Sequence, residues 1–110
     1  MLNTLIDPTS KKAGETRTIV VPFIDKLREG EVLTGTPTVT ELVTAALTIT
    51  DVVVTSQDVT IRGQVIDSGK AVQFSVSGGT ARTDYTIRVT AAGNSSPIQT
   101  LIYDMRLHVI

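Results

Sequence analysis

His108 is the only histidine in this 110-residue chain, and cysteine is absent. Acyl transfer by a hydrolytic triad needs an imidazole hydrogen-bonded to a nucleophile and oriented by a carboxylate. Ser75 and Ser77 offer hydroxyls, and Asp104 shares a face with His108 on a predicted C-terminal strand, but no motif joins them. His108 therefore reads as an exposed or interface side chain, no catalytic residue is assigned, and the chain reads as a non-enzyme. Metal sites made of imidazole and thiolate are excluded by count, leaving carboxylates such as Asp25, Glu29, Glu31, Asp51, Asp58, Asp67 and Asp84 for a hard cation. Asp67-Ser68-Gly69 lacks the regular oxygen spacing of a calcium loop and reads as a turn, so no metal or cofactor is expected. Gly78-Gly79 lacks the helix and lysine that follow a phosphate-cradling loop. Asn94-Ser95-Ser96 matches a glycosylation sequon, which has meaning only on a secretory route.

The elements that hold these residues read as strands. Gly78 and Gly79 allow a tight reversal at φ > 0. Beyond them Tyr85, Ile87 and Val89 alternate with Asp84, Thr86, Arg88 and Thr90, the period of a strand with one buried face. A tyrosine just past such a corner suits an immunoglobulin-like sandwich, its ring in the core and its hydroxyl bonded to the upstream backbone. An ordinary half-buried strand tyrosine is the alternative. Gly78, Gly79 and Tyr85 are thus the structural turn.

Upstream, residues 18–24 alternate as a strand in which Pro22 removes a ladder donor, placing it at a sheet edge or a bulge. Residues 25–30 read as a charged turn around Leu27, a helical turn stopped by Gly30, with Arg28, Glu29 and Glu31 as solvated charges. A strand over 31–40 is interrupted by Gly35 and Pro37, and residues 41–46 fit a helical turn or a bridging loop. Leu47 and Ile49, then Val52 and Val54, change phase near Asp51, the mark of a bulge. Val59, Ile61, Gly63 and Val65 read as one strand, followed by a turn at Gly69 and a strand carrying Val72, Phe74 and Val76. The final strand turns Leu101, Tyr103, Met105, Leu107 and Val109 to one side.

About seven short strands separated by Gly, Asp, Asn and Pro turns make an all-β, antiparallel two-sheet immunoglobulin-like β-sandwich over residues 17–110, with a small barrel as the competing architecture. Residues 1–16 read as an extended N-terminal arm or linker carrying Leu2, Leu5 and Ile6. Burying those three side chains returns about 5 to 9 kcal/mol, against roughly 7 to 14 kcal/mol of backbone entropy for seven residues. The arm therefore needs a neighbour that also satisfies its backbone, which strand addition supplies; simple disorder is the alternative. Leu2, Leu5 and Ile6 are the candidate assembly arm.

Composition bounds the partners. A formal charge of −1 gives no field to hold a polyanion, so nucleic acid is not expected as a partner. No apolar run reaches bilayer length, and the start lacks the flanks of a signal peptide, so a soluble, unprocessed chain with no membrane partner is expected. The lack of cysteine fits a reducing compartment.

Ile24-Asp25 leading through Leu27 to Gly30-Glu31, then Ser77-Gly78-Gly79-Thr80-Ala81 followed by Tyr85 and Gly93, resembles a family of small tailed-bacteriophage structural proteins. These are the phage fibre-tail adaptor, or immunoglobulin-like virion, proteins, and the resemblance spans roughly residues 19–107. It implies a virion protein made in the host bacterial cytoplasm, an adaptor in the neck, tail or tail-fibre attachment region. Such a protein would sit in several copies in a ring against other virion structural proteins. A capsid decoration (cement) protein and a carbohydrate- or receptor-binding sandwich module are the alternatives. Phe23, Phe74, Tyr85 and Tyr103 all fall at core positions, which leaves few rings for a sugar.

Overall fold

The computed structural model describes residues 10–42, 46–61 and 63–110, so Leu2, Leu5 and Ile6 lie outside the described residues. It contains strands β1 (Ser10–Lys11), β2 (Arg17–Pro22), β3 (Leu33–Glu41), β4 (Leu47–Val54), β5 (Val59–Ile61), β6 (Gln64–Ile66), β7 (Ala71–Gly78), β8 (Thr83–Gly93) and β9 (Thr100–Val109). One sheet has the order β1-β9-β8-β3, the other β2-β7-β4, and β5-β6 form a separate hairpin. Every principal pairing is antiparallel; only β1 runs parallel to its neighbour, β9.

The two sheets exist because each buries one face. Tyr85, Ile87, Val89 and Ala91 on β8, with Met105, Leu107 and Val109 on β9, turn inward. They meet Ile19 and Val21 of β2, Val72, Phe74 and Val76 of β7 and Leu47 of β4 in one core. The alternating residues, among them Thr18, Ser75, Thr50, Thr86 and Arg88, line the outer faces. The chain crosses between sheets at β1–β2, β2–β3, β3–β4 and β7–β8, so that β2-β7-β4 faces β3-β8-β9. That is the two-sheet order of an immunoglobulin-like sandwich.

Several local expectations are met. β2 is an edge strand ending at Pro22, and β3 loses register between Thr34 and Thr38, around Gly35 and Pro37. β4 shifts register between Thr50 and Val53, where Asp51 takes φ 58°.

Others are corrected. The single strand expected over Val59 to Val65 is a hairpin, β5 pairing with β6 through a turn at Gly63 (φ 85°). The alternation that made it look continuous belongs to two short strands whose Ile61 and Ile66 bury against Ala71, with Val20, Ile24 and Val59 around them. Residues 25–30 form turns rather than a helical turn: Lys26 N–H donates to Phe23 C=O at 2.8 Å and Glu31 N–H to Arg28 C=O at 3.0 Å. The last part of the stretch read as arm joins the sheet, since Ser10 and Lys11 pair with His108 and Val109. A turn follows in which Lys12 N–H donates to Glu15 Oε1 at 2.8 Å and Glu15 Oε2 lies 3.6 Å from Arg17 Nη1. Lys11 is buried, its Nζ donating to the Lys12 carbonyl at 2.9 Å.

The β7–β8 corner has the expected tyrosine geometry. Thr80 N–H donates to the Tyr85 hydroxyl oxygen at 2.7 Å, and the ring is buried. That hydrogen bond holds the phenol below its usual range. Gly78 and Gly79 take φ 81° and 95°. A Cβ on Gly79 would stand 3.0 Å from both Leu47 Cδ2 and Val109 Cγ2. Gly79→Val is expected to destabilise the fold by about 2 to 4 kcal/mol, combining backbone strain with overpacking. Urea unfolding checks this; a midpoint equal to that of the parent would remove the constraint assigned to Gly79.

Candidate functional site

The outer face of the β1-β9-β8-β3 sheet carries the only histidine. His108 Nδ1 lies 2.6 Å from Asp84 Oδ1, across the β8–β9 ladder, and both side chains are about half exposed. The sequence pointed to Asp104 as the carboxylate beside His108, but Asp104 is engaged elsewhere. Its two oxygens accept from Arg88 Nε at 2.9 Å and Nη2 at 3.0 Å, a bidentate cross-strand pair. The pair holds the Asp104 carboxyl below its ordinary value, chiefly through the hydrogen bond from Arg88. Cross-strand register, which a one-dimensional reading cannot supply, decides both partners: Asp84 opposes His108 and Arg88 opposes Asp104.

Ser75 and Ser77 sit on β7 in the other sheet, so neither is joined to His108. The hydroxyl residue that does register with His108 is Ser10 of β1, giving a row of Ser10, His108 and Asp84. No hydrogen bond joins Ser10 to His108 among the described residues, and the row lies on the outer face of a sheet. Acyl transfer requires hydrogen-bond donors aimed at a developing oxyanion in a water-excluded site, which an exposed pair of side chains on a strand ladder does not provide.

The end of the sandwich that holds the 23–32 and 94–99 loops is organised by a residue read from sequence as a solvated charge. Glu31 is 1% exposed. Its Oε1 accepts from Arg28 N–H at 2.9 Å and its Oε2 from Ser95 N–H at 3.3 Å, tying the β2–β3 loop to the β8–β9 loop. Val32 N–H donates to Asn94 Oδ1 at 3.1 Å and Asn94 N–H returns to Val32 C=O at 2.9 Å. Leu33 N–H donates to Gly69 C=O at 2.7 Å, adding the β6–β7 turn to the cluster. Gly93 makes room for the carboxylate, since a Cβ there would stand 2.7 Å from Glu31 Cδ. Burial opposes ionisation, yet the amide of Arg28 donates to the charged form and outweighs it, so the Glu31 carboxyl is held below the usual range. The sequence carried a usable signal, a glutamate beside Val32 and Leu33 at the start of β3 and a lone late glycine. The contact between them exists only once β3 and β8 pair.

Two shallow hollows flank these surfaces. One, of about 230 Å³, is walled by Thr55, Gln57, Asp58 and Gln73 at the β4–β5 connection. Its carboxylate already serves the fold, Asp58 Oδ1 accepting from Ser68 N–H at 2.9 Å. The other, of about 370 Å³, runs past Asp25, Lys26 and Tyr103. There Tyr103 meets Phe23 edge-on at 6.0 Å, and Lys26 Nζ stands 5.7 Å over the Tyr103 ring. Among the described residues no three carboxylate, imidazole or thiolate groups come together to hold a metal ion, and no helix is long and apolar enough to cross a membrane.

No family model, curated protein or solved structure matches the chain.

Because the Glu31 carboxyl is held below its unfolded value near 4.3, it stabilises the loop clasp above that pH and stops doing so as pH falls through its lower folded value. Acidification from pH 6 to pH 3 is expected to lower the protection of the Arg28 and Ser95 amides, measured as exchange relative to the intrinsic rate at each pH. In Glu31→Gln that step is expected to be largely lost, with protection already lower at pH 6. An identical pH profile in both proteins would show that the carboxylate does not hold the loops.

Proposed function

We propose that this chain is a non-enzymatic structural protein of a tailed bacteriophage, an adaptor in the neck, tail or tail-fibre attachment region that works by protein–protein contacts. The observation that carries the reading is the edge of β9, which is unpaired along residues 100–107 among the described residues. Its pairing with β8 runs through ten consecutive residue pairs without a register shift, while on the other side β1 pairs with His108 and Val109 and bonds Ile110. Such an edge exposes a row of backbone donors and acceptors that another chain can complete. The Ser77-Gly78-Gly79-Thr80-Ala81 turn with Tyr85 supports the phage assignment through the family it resembles.

The ionisable groups favour the same reading. Asp104, Asp84, Glu31, Asp58 and Glu15 each hold a strand, loop or turn in place. None stands in an enclosed cavity next to a nucleophile. A sugar-binding face gains no support from the aromatic side chains: Phe23, Phe74 and Tyr85 are buried, and Lys26 stands over Tyr103.

Quantitative mass spectrometry of purified particles of the encoding phage, with heads and tails separated before digestion, tests the reading. The chain is expected at fixed stoichiometry in one fraction. Absence from both fractions would overturn it, and a saturable glycan-panel signal would move the assignment to a receptor-binding module.

A further inference from the structure

Beyond the two residues of β1, the two sheets are bordered by β9, β3, β2 and β4, and three of these are blunted. β2 ends in Pro22 after six residues. β3 is broken in register around Gly35 and Pro37, and β4 bends at Asp51, which places a carboxylate at positive φ in mid-strand. Proline, bulges and charges of this kind discourage pairing with another chain. β9 has neither proline nor bulge along residues 100–107, its two charges there are Asp104, already paired with Arg88, and Arg106, and among the described residues nothing pairs with that stretch on the side away from β8.

The hydrogen-bonding phase of that edge can be read from its end. Ile110 N–H donates to Lys11 C=O at 2.8 Å and Ile110 C=O accepts from Ala13 N–H at 3.5 Å, so residue 110 faces the β1 side. Alternation along an extended strand carries the phase back to Arg106, Asp104 and Ile102, whose N–H and C=O groups therefore point to the open side. The rim is apolar: Leu101 and Tyr103 are only half-buried, although they pack on the core, and Ile102 is 46% exposed.

The segment that fits this edge is present in the chain. Residues 2–9 are eight in number, as are residues 100–107, and they carry Leu2, Leu5 and Ile6. Within one molecule the fit is poor. Extending the Ser10–His108 and Lys11–Val109 register backwards sets Asp7 on the side of buried Lys11, opposite Met105, and turns Leu2 and Ile6 outward with Ser10. That register would bury a carboxylate and expose two of the three apolar side chains. A strand arriving from another molecule is free of this register, and a change of phase by one residue turns Leu2 and Ile6 inward beside Leu101 and Tyr103.

We infer that the open edge of β9 receives residues 2–9 of a second copy of this chain. An arm on one copy and an edge on the next make a heterologous contact, which closes into a ring when the rotation allows. The inference rests on the assembly reading above and names its contact. A chain found in particles by mass spectrometry but monomeric in solution, with no effect of truncation, would leave that reading standing and remove this one.

The test is sedimentation velocity over a range of concentrations, with amide exchange read at Ile102, Asp104 and Arg106. The full chain is expected to self-associate, with those three amides protected at least tenfold more at high concentration than at low. A chain lacking residues 2–9 is expected to stay monomeric and folded, with the same amides unprotected at every concentration. Arg106→Pro, which removes one outward N–H and none from the β8 ladder, is expected to do the same. A peptide of residues 2–9 added to the truncated chain is expected to restore protection saturably, which keeps the test decisive if the proline variant does not fold. A full chain monomeric at all concentrations, association that survives removal of residues 2–9, or concentration-independent protection in a monomer would each overturn the inference.

Discussion

Tyr85 fixes the corner on which the two sheets depend. The chain must leave β7 in one sheet and enter β8 in the other within residues 79–82, and a crossing that short leaves backbone groups without ladder partners. The Tyr85 hydroxyl takes the N–H of Thr80, Ala46 C=O takes that of Gly79 at 3.1 Å, and Val109 C=O takes that of Arg82 at 2.7 Å. The corner thus draws on the β3–β4 connection and the end of β9 as well as on β8. Gly79 sits where Leu47, Val109 and the Tyr85 ring converge, and the missing side chain lets these three elements close together. Facing β7 against β8 and β9 follows from that closure, and most of the core is built from those strands.

The opposite end of the molecule solves the same problem with a charge. Three connections converge there, and a buried carboxylate costs free energy unless its hydrogen bonds are made. Glu31 makes them to amides of two different loops, so its burial is tolerated only when those loops are correctly placed relative to each other. An apolar residue at this position would pack without specifying that arrangement. The pairing of Gly93 with Glu31 repeats the logic of Gly79 with Tyr85. In each case a glycine lets a side chain approach closely, and the polar end of that side chain holds a loop in place.

What the sequence made legible was local, and what it hid was relational. The strands around Ile87, Phe74 and Leu107 announced themselves because apolar residues at every second position have no other economical use, and Pro22 and Asp51 marked an edge and a bulge through backbone chemistry alone. The tyrosine corner was readable for the same reason, since glycine pair, strand and ring lie within ten residues. The β5-β6 hairpin was missed because Gly63 falls in phase with Ile61 and Val65, so the alternation continues straight through the turn. Glu31 was misread because, beside the local amide of Arg28, what buries and holds it is distant in sequence, at Gly93 and at Ser95, 64 residues away. His108 was given the wrong carboxylate because Asp104 and Asp84 are equivalent by face and only the register of β8 against β9 separates them.

The same register bears on why the proposed contact surface is an edge and not a cavity. On the outer face of β8 and β9, Arg88 with Asp104 and Asp84 with His108 are matched across the ladder. Those two pairs engage four of the ionisable groups on that face, with Arg106 opposite Thr86 beside them, and half-exposed pairs of this kind add little to stability. Unpaired backbone is a different resource. It has no dependence on side-chain identity and offers regularly spaced donors and acceptors, with specificity left to the few side chains at its rim. In this sandwich the polar side chains are largely spent on holding loops and neighbouring strands. What β9 still offers a second chain is its main chain, bordered by Leu101, Tyr103 and Ile102.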